Sequence, residues 1–292
     1  MMKMNFMFNI LRDVMKPSAM LALLLLFPFV ALAQPQSPSQ PKSIQDNSFL
    51  VEEAYNQEDG VVQHINVFQH SLVSGDWLYT LTDEWPVCGQ KNQLSITLSG
   101  INVSGAGTGG LGWGDTALNY RYQLVGAGDA RVAVAPRLSL LLPTGDSNRG
   151  HGAGALGFQT NIPVSFQHNR WLVTHWNAGA TWIPRAQNRA GERAGIVGVN
   201  LGQSFVWLAA SRFNALLETT WSSTEEVLGP GTTSRRQNIF VSPGVRWAYN
   251  FKNGLQIVPG VGLPVGVGPS SREKGLILYL SFEHPLRLAR SE

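Results

Sequence analysis

Between residues 112 and 286 the chain repeats one pattern: a stretch of about ten residues with alternating polar and apolar side chains, then a turn. Extended backbone sends successive side chains to opposite faces, so each stretch presents one apolar and one polar surface. Thr116, Leu118, Tyr120, Tyr122 and Leu124 stand against Asn119, Arg121 and Gln123. Leu156, Phe158, Ile162, Val164 and Phe166 stand against Gln159, Asn161, Ser165 and Gln167. A soluble sandwich would also accept such faces, with the apolar side inward. The connections separate the two architectures. Those at 126–130, 169–170, 210–211 and 250–253 are tight, and Asn253-Gly254 is a hairpin signal. Those at 104–112, 143–154, 184–194, 223–235 and 266–274 are longer and rich in Gly, Arg, Ser or Glu. A sheet that crosses a membrane has tight turns on one side and longer loops on the other, and few soluble folds need that switch. The expected fold is all-β, a closed antiparallel up-and-down transmembrane β-barrel of about twelve strands. They are expected at 61–72, 76–86, 92–103, 113–125, 131–142, 155–168, 171–183, 195–209, 212–222, 236–250, 254–264 and 275–286, with both termini and the tight turns in the periplasm.

The front of the chain reads as a cleaved signal peptide. Lys3, Arg12 and Lys16 precede an almost wholly apolar stretch at 19–30, and Ala31-Leu32-Ala33 is an A-x-A cleavage signal, so the processed chain would begin near Gln34. The apolar stretch is shorter than the roughly 20 residues of a spanning helix, and no later segment supplies such a run. Any crossing of a bilayer therefore falls to strands. Residues 34–42 are rich in Pro, Gln and Ser without apolar periodicity. The expected organisation is a signal peptide over 1–33, a periplasmic N-terminal segment over 34–60 and one transmembrane barrel over 61–292, placed in the outer membrane of a Gram-negative bacterium.

The signal carries three of the 22 Lys+Arg and one of the 19 Asp+Glu, which leaves 19 against 18 and a net charge near +1. Nothing resembles the basic stripe of a nucleic-acid binder. Cys88 is the one cysteine, which excludes an intrachain disulfide and a multi-thiolate metal site; it reads as a small residue in a turn. Histidines 64, 70, 151, 168, 175 and 284 lack ligand spacing, and His64 and His70 on one strand face would stand about 20 Å apart. No metal or cofactor is expected. Gly105-Ala106-Gly107-Thr108-Gly109-Gly110 fits G-x-G-x-x-G, yet a dinucleotide site needs a helix after it and here a strand follows. Gly145-Asp146-Ser147 lies close to His151, in a Gly-rich loop rather than the rigid arrangement that a nucleophile and its base require. No catalytic residue is assigned, and the chain is not expected to be an enzyme.

Trp77, Trp85, Trp113, Trp171, Trp182, Trp207, Trp221 and Trp247 fall near expected strand ends, the headgroup level that an amphipathic ring prefers; Trp176 does not. Leu276, Leu278, Leu280 and Phe282 share one face of a final strand suited to close the sheet onto the first, followed by the polar extension 286–292. Outer-membrane lipid and the barrel-insertion machinery are the partners such a chain implies. The run Gly114-Asp115-Thr116-Ala117-Leu118-Asn119-Tyr120-Arg121-Tyr122-Gln123-Leu124 is followed by Ala135-Pro136-Arg137-Leu138-Ser139-Leu140-Leu141-Leu142-Pro143-Thr144-Gly145-Asp146. Together they resemble the outer-membrane family labelled MetA-pathway of phenol degradation, often called simply transporter. Glu52-Glu53-Ala54-Tyr55-Asn56-Gln57-Glu58, Gly60-Val61-Val62-Gln63-His64 and Tyr279-Leu280-Ser281-Phe282-Glu283-His284-Pro285 look like its opening and closing segments. The likeness spans roughly residues 46–286. It implies a barrel associated with passage of hydrophobic, often aromatic, compounds, and offers no catalytic residues to carry over.

Alternation sends Asn119, Gln123, Gln167, Asn177, Asn214, Asn238 and Tyr279 to the interior, together with the candidate lumen-lining residues Arg121, Arg137, Gln159, Asn161, Asn200, Glu218, Arg246 and Glu283. Either Glu218, Arg246 and Glu283 brace the wall through salt bridges, or these side chains line a constricted path where charge and width select the solute. Residues 46–60 hold Glu52, Glu53, Glu58 and Asp59 beside Phe49, Leu50, Val51 and Tyr55. This segment is expected either to enter the periplasmic mouth as a plug, with Glu52, Glu53, Tyr55 and Glu58 its candidate residues and Arg121 or Arg246 its partners, or to lie as a tail over the turns. The function expected is a channel for passive passage of small hydrophobic or aromatic solutes. The alternative is a structural or surface-interaction barrel with a closed interior, and an outer-membrane lipid hydrolase stands behind both.

Overall fold

The computed structural model describes residues 44, 47–104, 109–126 and 130–285. The expected signal peptide and the final extension 286–292 lie outside the described residues. The alternating stretches become twelve barrel strands: β1 (Val61–Ser71), β2 (Trp77–Pro86), β3 (Asn92–Val103), β4 (Thr116–Tyr122), β5 (Arg137–Leu142), β6 (Gly157–Asn169), β7 (Leu172–Gln187), β8 (Arg193–Ala210), β9 (Phe213–Gly229), β10 (Thr232–Trp247), β11 (Gln256–Gly262) and β12 (Gly275–Pro285). Each pairs antiparallel with its successor. β12 returns to β1 in register, from Val61 opposite Pro285 to Ser71 opposite Gly275. The sheet is closed, and closure satisfies every edge that hydrocarbon could not hydrate. Four short pieces, Gly110–Trp113, Val132–Val134, Tyr249–Asn250 and Val265–Gly266, extend the wall beside β3, β6, β11 and β10. Pro136, which has no N–H for a ladder, marks the break between Val132–Val134 and β5.

Burial is the reverse of a soluble core. Tyr120 is 43% exposed while Arg121, its neighbour, is 3% exposed. Leu138, Ile162, Trp182, Leu201 and Phe205 are likewise exposed while Asn119, Ser139, Asn161, Glu218 and Arg246 are buried. An apolar outside around a polar inside is what a bilayer demands. The interior is nonetheless uneven. Ile65, Val67, Val206, Leu216, Val258, Ile277 and Tyr279 form an apolar sector on β1, β8, β9, β11 and β12, packed with Ile44 and Phe49 from the N-terminal segment.

The strict switch of turn length is corrected in two places. The stretch expected as a loop at 223–235 is mostly strand: β9 runs to Gly229, β10 starts at Thr232, and Pro230-Gly231 turns between them with Gly231 at φ 66. Arg235 stands opposite Glu225, and their side chains meet at 2.9 Å. β7 and β8 similarly shorten the expected loop 184–194 to 188–192. These strands have 16 to 18 residues, against the roughly 9–11 that cross hydrocarbon. Beyond the apolar band both strand faces meet water, so alternation stops where hydrocarbon stops and the strand continues.

Candidate functional site

Residues 47–57 belong to no strand, yet most of them are buried. Buried backbone N–H groups need acceptors, and here the inward side chains of the wall supply them. The N–H groups of Leu50 and Val51 both donate to Glu218 Oε1, at 2.8 and 3.1 Å. Glu52 N–H donates to Asn177 Oδ1 at 2.9 Å, and Asn177 Nδ2 donates back to the Glu52 carbonyl at 2.8 Å. Ala54 N–H donates to Ser165 Oγ at 2.7 Å. Gln123 accepts from Asn56 N–H at 2.8 Å and donates to the Ala54 carbonyl at 2.7 Å. Gln57 N–H donates to Gln93 Oε1 at 2.8 Å. Asn177 and Gln123 thus engage the segment through both an acceptor and a donor, as a neighbouring strand would. These partners sit on β9, β7, β6, the end of β4 and β3, so the segment crosses the interior from one wall to another.

The arginines divide the work differently from the expected pairing. Arg137 binds Glu52: its Nε donates to both carboxylate oxygens at 3.1 and 3.0 Å and its Nη2 to Oε1 at 2.7 Å. Its remaining donors go to Asn119 at 3.0 Å, Gln159 at 3.1 Å and Ser139. Burial alone would push the Glu52 carboxyl up, but Arg137, with Arg121 behind it, holds it below the ordinary 4.5. Arg121 serves main-chain carbonyls, those of Tyr55 at 2.8 Å and Glu53 at 3.3 Å, plus Asn56 Oδ1 at 2.9 Å. Arg246 donates to the Asn47 carbonyl at 2.6 Å.

Apolar contacts seat the other end. The Phe49 ring lies 5.2 Å from Tyr279, tilted by 41°. Gly244 on β10 and Gly260 and Gly262 on β11 border the same ring; a Cβ on them would stand 2.5, 2.7 and 2.9 Å from its carbons. Gly202 makes similar room for Val51, with 3.0 Å to a would-be Cβ.

The other expected positions are placed as follows. Tyr55 is buried, its hydroxyl donating to the Ala130 carbonyl at 3.1 Å while Ala54 and Tyr55 cluster with Ala133 and Ala135. Glu53 is buried, with its N–H on Asn47 Oδ1 at 3.0 Å. Glu58 is exposed and its carbonyl accepts from Val61 N–H at 3.0 Å, forming the turn into β1. Asn161 donates to Asn177 Oδ1 and Gln159 to Thr181 Oγ1, both at 3.1 Å. Asn200 lies beside Gly179, and Glu283 stands opposite Gln63 and Gln256. Sequence reasoning overlooked Gln93 and the glycines, and placed Ser165 on the polar face without giving it a role. The one visible trace was the string Pro-Gly-Val, at both 243–245 and 259–261. It also overlooked His64, whose Nε2 is 3.1 Å from Nε2 of His284 and whose Nδ1 is 2.6 Å from Asp83 across the β12–β1–β2 seam. Among the described residues no group of three His, Cys, Asp or Glu could hold a metal, and no helix is long and apolar enough to cross a membrane. His151 Nε2 lies 2.9 Å from the Gly110 carbonyl, and Asp146 accepts from Asn148 N–H at 3.0 Å, so both serve loop structure. Gly110 leads into a strand.

No family model and no curated protein matches the sequence. Solved structures share its architecture. The COG4313 outer membrane channel from Pseudomonas putida F1 is 14% identical over 80% of this chain and 97% of its own, with a TM-score of 0.57. The KdgM porin is 11% identical over 75% of this chain and 98% of its own, with a TM-score of 0.50. The fold is that of outer-membrane β-barrels. At these identities the likeness carries the fold alone.

Proposed function

We propose that the chain is an outer-membrane channel for passive passage of small hydrophobic or aromatic solutes, and that its N-terminal segment is a removable plug. The observation that carries this reading is how the segment is held: by side-chain hydrogen bonds to its backbone, by the Glu52–Arg137 ion pair and by the seated rings of Phe49 and Tyr55, with no ladder to the sheet. A segment bound in that way can leave without unfolding the wall. The likeness to channels and porins supports passage, and the resemblance to the MetA-pathway family supports an aromatic solute. Residues 1–33 would direct export and be removed. Liposome swelling with sugars, phenols and alkylbenzenes tests the proposal; faster entry of phenols or alkylbenzenes than of sugars is expected.

The interior is filled around residues 47–57, and that filling favours one second reading, a barrel with a permanently closed interior that acts through its surface. Uniform impermeability in the same assay would select it.

A further inference from the structure

We infer that the glycine-lined cradle on β10 and β11 is a binding site for the ring of a monocyclic aromatic solute, with Phe49 as its resident surrogate. The inference deepens the channel reading, on which its physiological role rests. Glycine is disfavoured in strand interiors and there marks close approach of another group. Gly244 pairs with Gly262, and Gly260 lies two residues along the same face of β11. All three border one ring, whose open side is covered by Tyr279 at 5.2 Å, a separation at which tilted aromatic pairs attract. The glycine side of the cradle is barrel backbone, with only Arg246 Cβ and Ser242 Oγ beside it, so that side keeps its shape when the ring leaves. A ring-sized cavity with largely apolar walls can take up benzene-sized molecules.

The cradle also dictates which ring fits. A Cβ on Gly260 would lie 2.7 Å from both Cε1 and Cζ of Phe49, and Cβ atoms on Gly244 and Gly262 would lie nearest Cε2 and Cδ2, so opposite sides of the ring rest against the three glycines. A single substituent can leave along the direction of Phe49's own Cβ–Cγ bond. Toluene therefore reproduces the ring and first side-chain carbon of Phe49. A solute ring that takes the cradle must displace Phe49, and with it the adjoining residues that Glu218 holds.

Two measurements test this on the purified full barrel in detergent. In Phe49→Ala, or Phe49→Leu if that folds poorly, toluene should raise the thermal unfolding midpoint saturably, and Gly260→Ala added to the same variant should abolish the response. Absence of a saturable toluene effect, or an equal effect with Gly260→Ala added, overturns the site. In a Cys88→Gly background with intact Phe49, a cysteine introduced by Leu50→Cys should react with a water-soluble maleimide several-fold faster when toluene is present. An unchanged rate overturns displacement. Neither readout measures flux, so a failed swelling assay beside positive binding would remove the channel reading and leave the site.

Discussion

Removing the carboxylate that holds two consecutive amides of the segment should unseat it. Glu218 is fully buried, and a single oxygen, Oε1, accepts from both Leu50 and Val51. Glu218→Ala strands two buried N–H groups, each costing about 1–3 kcal/mol, so the seated state loses about 2–6 kcal/mol. At 1.4 kcal/mol per tenfold, the ratio of unseated to seated segment rises by about 30-fold at the low end and about 10⁴-fold at the high end. Water entering the vacated space would bring the value toward the lower limit. Glu218→Gln keeps an amide oxygen where Oε1 stands and forfeits only the charge-assisted part of each bond, together about 2 kcal/mol. Single-channel recording in planar bilayers should therefore give open probabilities that rise from wild type through Glu218→Gln to Glu218→Ala. If Glu218→Ala, with its β-sheet circular dichroism intact, gated like wild type, the assignment of Glu218 as the latch would be refuted.

Acidification offers a reversible version of that experiment. Because the Glu52 carboxyl is held below 4.5, its contact with Arg137 contributes fully above that value and is lost as pH falls through the lowered one. Open probability should rise on the acid side, and Glu52→Gln should remove the Glu52 part of that rise. Gly260→Ala places a methyl group against the Phe49 ring and should raise open probability at any pH, read in the same recordings. Cys88 has φ 54 in the turn between β2 and β3, so Cys88→Val should lower stability by about 1 kcal/mol and Cys88→Gly should be near neutral, by urea titration of the folded barrel.

What could be read in advance follows from the range of each interaction. Alternation at Leu118-Asn119-Tyr120-Arg121 is local, and it revealed a strand with one wet and one greasy face. Asn253-Gly254 likewise announced its turn, where Gly254 N–H donates to the Phe251 carbonyl at 3.1 Å. The far ends of β7 to β10 were misread because Glu225, Glu226, Arg235 and Arg236 are polar on both faces, and polarity there reports water rather than the end of pairing. The seat of Phe49 was illegible for another reason. Gly244 and Gly262 are 18 residues apart, and only register sets them side by side beneath a ring from residue 49. An acid in the segment could meet several interior arginines, and sequence alone does not rank them: Arg137 holds Glu52 because β5 brings it next to Asn119, Ser139 and Gln159, which absorb its other donors.

The most direct measurement compares single-channel conductance of the intact chain with that of a variant lacking residues 43–59, both in planar bilayers. A channel closed by its own N-terminal segment predicts small or rare openings for the intact chain and large, stable ones for the shortened chain. Equal conductance in the two would contradict it.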